Sequence, residues 1–323
     1  MNKMLVTPLL LAAAVSAGVH ANQHHVGSAF TASVDVPYGT GLVTVDGEVV
    51  PRELLMDLVQ PKEPIAEQNP VVVMMFGGNF IRGARDFVYD VNGAQTTTMR
   101  EYCERFAQEG YTCAAIDYRL SLEEPVSSNV GDINSKFIDD LPNFEPVNDR
   151  NNWIRGMMGL EPRPLEDKVM PNAIKAAAED LYTAVVHLRD NAEEYGIDPD
   201  RVALGGFSAG GFSSLNVAFG LGLPVQAVIS NSGVPLGFDI AKEIEGRSDL
   251  PPVLFNFGQF DEAPLLWGAS IEIEQFNEMG IDTNVAWVPN YGHFYPAGAT
   301  TLGEGLKREA VVQRMINFLN ETL

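Results

Sequence analysis

The strongest constraint on the fold lies in residues 201–213, Arg-Val-Ala-Leu-Gly-Gly-Phe-Ser-Ala-Gly-Gly-Phe-Ser, where Ser208 stands at the centre of Gly206-Phe207-Ser208-Ala209-Gly210. Val202, Ala203 and Leu204 are apolar and suit a short strand buried on both faces, and the residues from Phe212 onward can continue as a helix. A strand that passes into a helix across one residue must reverse sharply. The small residues Gly206, Ala209 and Gly210 remove the side chains that would clash there. Such a turn holds the Ser208 hydroxyl out, with the Ala209 N–H and the positive end of a helix behind it. The plainer alternative is a glycine-rich turn that happens to contain serine. The strand before it and the helix after it favour a nucleophile.

Apolar strands and amphipathic helices alternate around this turn. Residues 71–76 are continuously apolar and read as a central strand, and 113–117, 225–230, 253–258 and 284–288 as further buried strands. Helices are expected over 98–108, 172–195, 271–279 and 308–319, the first stopped by Gly110. Before them, residues 22–30 read as a flexible start, and 41–50 with 53–59 as a hairpin. The alternation implies right-handed crossovers and an α/β fold with a mostly parallel central sheet flanked by helices. Residues 121–171 break the rhythm: they are rich in Pro, Asn and Asp, yet carry Phe137, Phe144, Trp153, Ile154, Met157 and Met158. They read as an inserted cap or lid, the alternative being a surface excursion over an exposed core edge.

The 323 residues, 46% of them hydrophobic, suffice for one large core, so residues 22–323 are expected to form one domain. Residues 1–21 read as a secretory signal, with Lys3 at the charged end, an apolar centre over 9–15 and Val19-His20-Ala21 as the cleavage site. Export to the periplasm or the cell exterior is the resulting expectation. No later stretch reaches membrane-spanning length. A net charge of −22 makes nucleic acid and anionic membrane surfaces poor partners. Cys103 and Cys113 fall on a helix and on the strand after it. A disulfide, which export permits, and two free cysteines packed in the core are both compatible with that placement. They have no histidine beside them, so they do not mark a metal site, and no metal or organic cofactor is expected.

A serine nucleophile needs a base and a group that orients the base. His20 lies in the signal, His24 and His25 in the flexible start, and His187 inside the long helix. His293 instead follows a strand in the turn Asn290-Tyr291-Gly292-His293. Asp261 stands just past the strand ending at Phe257, with Glu262 and Asp239 as alternative acids. The first core strand ends in Phe76-Gly77-Gly78-Asn79-Phe80, a loop whose backbone N–H groups can approach a ligand closely, as an oxyanion hole requires. Phe80, Phe207 and Trp153 are the aromatic candidates for the substrate pocket.

In these motifs the chain resembles the carboxylesterases of the α/β-hydrolase superfamily, among them hormone-sensitive-lipase-like and feruloyl-esterase-like enzymes. The similarity runs over nearly the whole of residues 22–323. It takes in residues 57–61, the glycine loop, Ile116-Asp117-Tyr118-Arg119, Asp198-Pro199-Asp200-Arg201 and the acid and histidine turns, in the family's order Ser208, Asp261, His293. The resemblance implies Ser208 as nucleophile, His293 as general base and then acid, and Asp261 as the residue that fixes the imidazole tautomer. It further implies N–H groups of Gly78, Asn79 and Ala209 as the oxyanion hole and a small-molecule ester as substrate. The loop departs from the family's His-Gly-Gly-Gly or Tyr-Gly-Gly-Gly, with Phe76 in the first place and Asn79 in the last. Asparagine tolerates a left-handed backbone, but the hydrogen bond of the missing histidine or tyrosine is lost. A serine peptidase or amidase would use the same three residues, and a non-catalytic binding protein can share the fold. The intact Ser, His and Asp set argues against the last.

Overall fold

The computed structural model describes residues 24–26, 29–91, 93–139 and 145–323; the expected signal at 1–21 and Phe144 lie outside them. The sheet begins with β1 (His24–Val26), which pairs antiparallel with β2 (Phe30–Val45), so residues 24–26 belong to the sheet edge rather than to a flexible start. β2 and β3 (Glu48–Pro61) form one long antiparallel hairpin. Its turn is Asp46-Gly47, both at positive φ, and not the neighbourhood of Pro51 expected from the alternation. An Asp-Gly pair fits the tight turn whose twist matches the flanking strands.

β4 (Asn69–Met75) is buried along its whole length and pairs in parallel with β5 (Thr112–Ile116). The two-residue β6 (Pro125–Val126) adds to the outer side of β2. The remaining strands of this sheet are β7 (Ile197–Phe207), β8 (Ala227–Asn231), β9 (Val253–Gly258), β10 (Thr283–Val288), β11 (Thr300–Leu302) and β12 (Arg308–Ala310). The sheet order is β1-β2-β3-β5-β4-β7-β8-β9-β10-β11-β12; β5 to β10 in that order run parallel, and the outer strands are antiparallel. The centre is continuously apolar because helices cover both of its faces.

Helix α1 (Met99–Gln108) opens on a capping box in which Thr98 and Glu101 satisfy each other's backbone N–H, and buries Met99, Tyr102, Cys103 and Phe106. Cys103 is disulfide-bonded to Cys113 at the start of β5, which ties the helix to the strand that follows it. α2 (Glu145–Met157) lies in the 121–171 segment. α3 (Val169–Asp190) begins three residues before the expected start, because Pro171 falls in the first turn, where no intrahelical N–H bond is needed. α4 (Ala209–Leu215) follows Ser208, and α6 (Val311–Thr322) closes the fold. α5 (Ala263–Glu278) is longer than the expected 271–279, with a proline again admitted near its start. Among the described residues no helix is long and apolar enough to cross a membrane.

In register, Met75 of β4 stands beside Gly206 of β7, Phe207 beside Asn231, Asn231 beside Asn256, and Gly258 beside Val288. The carboxyl ends of β4, β7, β9 and β10 therefore finish at one edge of the sheet, and the loops beyond them converge there.

Candidate active site

Ser208 occupies φ 53°, ψ −117°, a left-handed backbone that a side chain adopts at a cost of about 1–3 kcal/mol. The turn is held from both sides: its N–H donates to the Asn231 carbonyl at 2.7 Å, and its own carbonyl accepts from Phe212 N–H at 2.9 Å. A Cβ on Gly206 would strike the Gly210 backbone, and one on Gly210 would strike the Met75 carbonyl. Glycine is required at both places by the closeness of β7, α4 and β4.

The loops after β9 and β10 complete the site. Ser208 Oγ lies 2.9 Å from His293 Nε2, and His293 Nδ1 lies 2.7 Å from Asp261 Oδ1. These two loops approach so closely that a Cβ on Gly258 would meet the Gly292 carbonyl. Asp261 also accepts from Ser232 Oγ at 2.6 Å and from the Glu262 N–H at 2.8 Å. Burial opposes its ionisation, but hydrogen bonds from His293, Ser232 and Glu262 N–H, with the charge of the imidazole, outweigh burial and hold its pKa below the ordinary carboxylate value. The alternative acids stand elsewhere. Glu262 pairs with Arg150 at 2.6 Å, and the exposed Asp239 caps the short helix at 240–243. His187 is half-buried in α3, 3.1 Å from the Tyr195 hydroxyl.

Asn79 has the left-handed φ of 57° that asparagine tolerates, and Gly78 has φ 144°. The N–H groups of Gly78 and Asn79 make no backbone hydrogen bond among the described residues. That of Ala209, the first residue of α4, has no intrahelical acceptor. Phe76 does not leave the loop loose, contrary to the expectation from its lost hydrogen bond. Its ring stacks on Tyr118 at 4.3 Å, the Tyr118 hydroxyl donates to the Phe76 carbonyl at 3.1 Å, and the Tyr89 hydroxyl donates to the Gly77 carbonyl at 2.8 Å. Burial pushes the Tyr89 hydroxyl up to about 12, so it stays a donor. Ser232, Tyr89 and Tyr118 were not legible as site residues, because each reaches its partner across the fold.

The BD-FAE family model matches residues 56–139 and 161–222 of the chain. Among solved structures, Thermogutta terrifontis esterase 2 phosphorylated by paraoxon aligns with TM-score 0.52 at 17% identity, over 90% of this chain and 92% of that one. The same organism's Est2 with propionate bound aligns with TM-score 0.52 at 17% identity, over 89% and 92%. The chain has an α/β-hydrolase fold, and over the matched residues it is similar to the BD-FAE family. The family match takes in the glycine loop and Ser208 and ends before Asp261 and His293, whose placement beside Ser208 is seen in the geometry above.

Beside Ser208 the protein has a cavity of about 690 Å³, bounded by Gly78, Asn79 and His293 on one side and by α5 on the other. The 121–171 segment contributes Pro146, Val147, Arg150 and Ile154 of α2. The Asn79 side chain donates to the Val147 carbonyl at 3.4 Å, joining the glycine loop to that helix. The three aromatic pocket candidates are not on the wall. Trp153 is 54% exposed, with the Arg150 guanidinium over its outer ring, because it lies out of phase with the lining face of α2. Phe80 is fully buried behind Phe212, which does line the cavity. Phe207 packs edge-on against the His293 ring at 6.0 Å and supports it.

Proposed function

We propose that the protein hydrolyses carboxylic esters through an acyl-enzyme on Ser208. The observation that carries this reading is the unbroken chain from Ser208 Oγ to His293 Nε2 and from His293 Nδ1 to Asp261, on a serine held at a strained turn. With the Nδ1–H donated to Asp261, Nε2 is the free acceptor and takes the serine proton as Oγ attacks the ester carbonyl. Charge then develops on the carbonyl oxygen, where the N–H groups of Gly78, Asn79 and Ala209 are available to it. The imidazolium, stabilised by the ionised Asp261, returns the proton to the departing alcohol, and water repeats the cycle to release the acid. The esterases of similar fold and the feruloyl-esterase-like family model support an ester as substrate.

Residues 121–171 are proposed to select substrate through α2, whose Val147 and Ile154 lie against the cavity. Export is proposed as well, on residues 1–21 and on the Cys103–Cys113 disulfide, which suits an oxidising compartment. A panel of 4-nitrophenyl esters of increasing acyl length, with 4-nitroacetanilide beside it, tests the activity. Turnover of esters with little of the anilide is expected; a preference for the anilide would make the protein an amidase, and inertness to all would sink the reading.

A further inference from the structure

We propose that Arg82 binds a carboxylate carried by the ester substrate; the inference rests on the ester-hydrolase reading above. Two guanidinium groups stand on the cavity wall, those of Arg82 and Arg150. Arg150 is spoken for, paired with Glu262 at 2.6 Å and lying 4.4 Å over the Trp153 ring. Arg82 has no carboxylate partner among the described residues, and its Nε is buried without a hydrogen bond. Two buried arginines away from the cavity are treated differently: Arg85 meets Asp35, Asp57 and Asp117, and Arg119 meets Glu179 and Asp180. The chain has 43 acidic residues against 21 basic ones, so acids to pair with are plentiful, yet none meets the guanidinium of Arg82 at the cleft among the described residues. A cation half-withdrawn from water without a partner is unfavourable until an anion arrives.

The position of Arg82 fits that role. Its N–H donates to the Gly78 carbonyl at 3.3 Å, so it stands on the turn that leaves the glycine loop. Its guanidinium lies 5.4 Å over the Tyr89 ring, and that ring stacks at 5.0 Å on Phe294, the neighbour of His293. The cation is thus on the reacting side of the cavity, with one flat face against an aromatic ring and its N–H edges left for a ligand. The cavity lining away from Arg82 includes Asp239 and Glu278, which repel an anion. A substrate carboxylate is thereby steered toward Arg82, whose planar fork can take both oxygens at once.

The carboxylate can belong to the acyl or to the alcohol part, and two substrate pairs separate these. On the acyl side, the 4-nitrophenyl monoester of adipic acid is compared with its methyl ester; on the alcohol side, 4-acetoxybenzoate with methyl 4-acetoxybenzoate. The quantity read is the ratio of kcat/KM for the charged ester to that for the neutral one. In Arg82→Gln this ratio is expected to fall about tenfold or more in one pair, the size of a lost charge-assisted hydrogen bond, and Arg82→Lys should recover part of it. The responding pair names the side. Ratios unchanged in both pairs overturn the proposal, while a wild type inert to all four esters defeats the ester-hydrolase reading itself. Should Arg82→Gln fail to fold by circular dichroism, the wild type answers alone. Adipate or 4-hydroxybenzoate should then inhibit hydrolysis of a neutral ester about tenfold more strongly than its methyl ester does, and less so as salt rises. Equal inhibition by acid and methyl ester overturns the proposal.

Discussion

The two sides of the cavity are built to different standards. On the Ser208 side the side chains next to the serine and the loop facing it are held by partners: His293 by Asp261, Asp261 by Ser232 and Glu262 N–H, and the glycine loop by Tyr89 and Tyr118. These groups hang from the ends of core strands. On the other side α2 and α5 present an exposed Trp267, a Glu272 that has no ion pair among the described residues, and an aliphatic lining of Val147, Ile154 and Leu265. The first wall suits chemistry common to all substrates, since preorganised groups act at the reacting carbon. The second suits discrimination, since it meets the parts of a substrate that do not react. Substitutions on the first, Arg82 apart, should therefore lower every rate together, and substitutions on the second should reorder substrates.

The largest break in that comparison comes from Ser208→Ala, expected to lower kcat by about 10⁴ to 10⁶-fold on every ester while circular dichroism stays unchanged. Next is Asp261→Asn, expected to cost about 10³ to 10⁴-fold, because the imidazole loses its oriented tautomer and its counter-charge. The depressed pKa of Asp261 adds a stability signature. Its contribution is present above the ordinary carboxylate value and is lost as pH falls through its lowered folded value, so the asparagine variant should lack that acid-side loss in thermal melts. Ser232→Ala removes one hydrogen bond to the same carboxylate and should cost about tenfold on all esters alike. Activity in Asp261→Asn close to wild type would remove the assignment of the acid.

Ile154→Ala sharpens the contrast on the other wall. It should shift the long-to-short ester ratio by about tenfold and barely touch an acetate ester, whereas Trp153→Ala should shift the ratio by less than about threefold. The reverse ranking would mean that α2 presents its other face to substrate. The smallest effect is expected at Glu272, whose carboxyl is pushed up from 4.5 to about 7 by burial. The unfolded chain ionises first, so stability should fall as pH rises from about 4.5 to about 7 and level off above, where both states are ionised. Glu272→Gln should abolish that slope and melt higher than wild type above pH 7; identical profiles would show that Glu272 is solvated.

How much of this could be read in the chain follows from the range of the forces involved. The elbow is a local steric problem, so Gly206, Ser208 and Gly210 announced it, and Asp261 and His293 followed from their places just past buried strands. The hairpin turn at Asp46-Gly47 is equally local, but the alternation that begins at Leu54 points past it to the neighbourhood of Pro51. Support for the glycine loop was out of reach, since Tyr118 and Phe76 are 42 residues apart and meet only when β4 and β5 pair. The pocket wall was misjudged for a different reason. Val147, Arg150 and Ile154 recur at helical spacing and mark the lining face of α2, but aromatic character drew attention to Trp153 one position out of phase.

The central claim is that Ser208 carries the acyl group, and it is tested most directly by rapid quenching of the enzyme with 4-nitrophenyl acetate, followed by peptide mapping by mass. The account predicts a transient acetyl group on the peptide containing Ser208, formed with a stoichiometric burst of nitrophenol and absent from Ser208→Ala. Acetylation at another residue as the turnover intermediate, or turnover at full rate in Ser208→Ala, would contradict it.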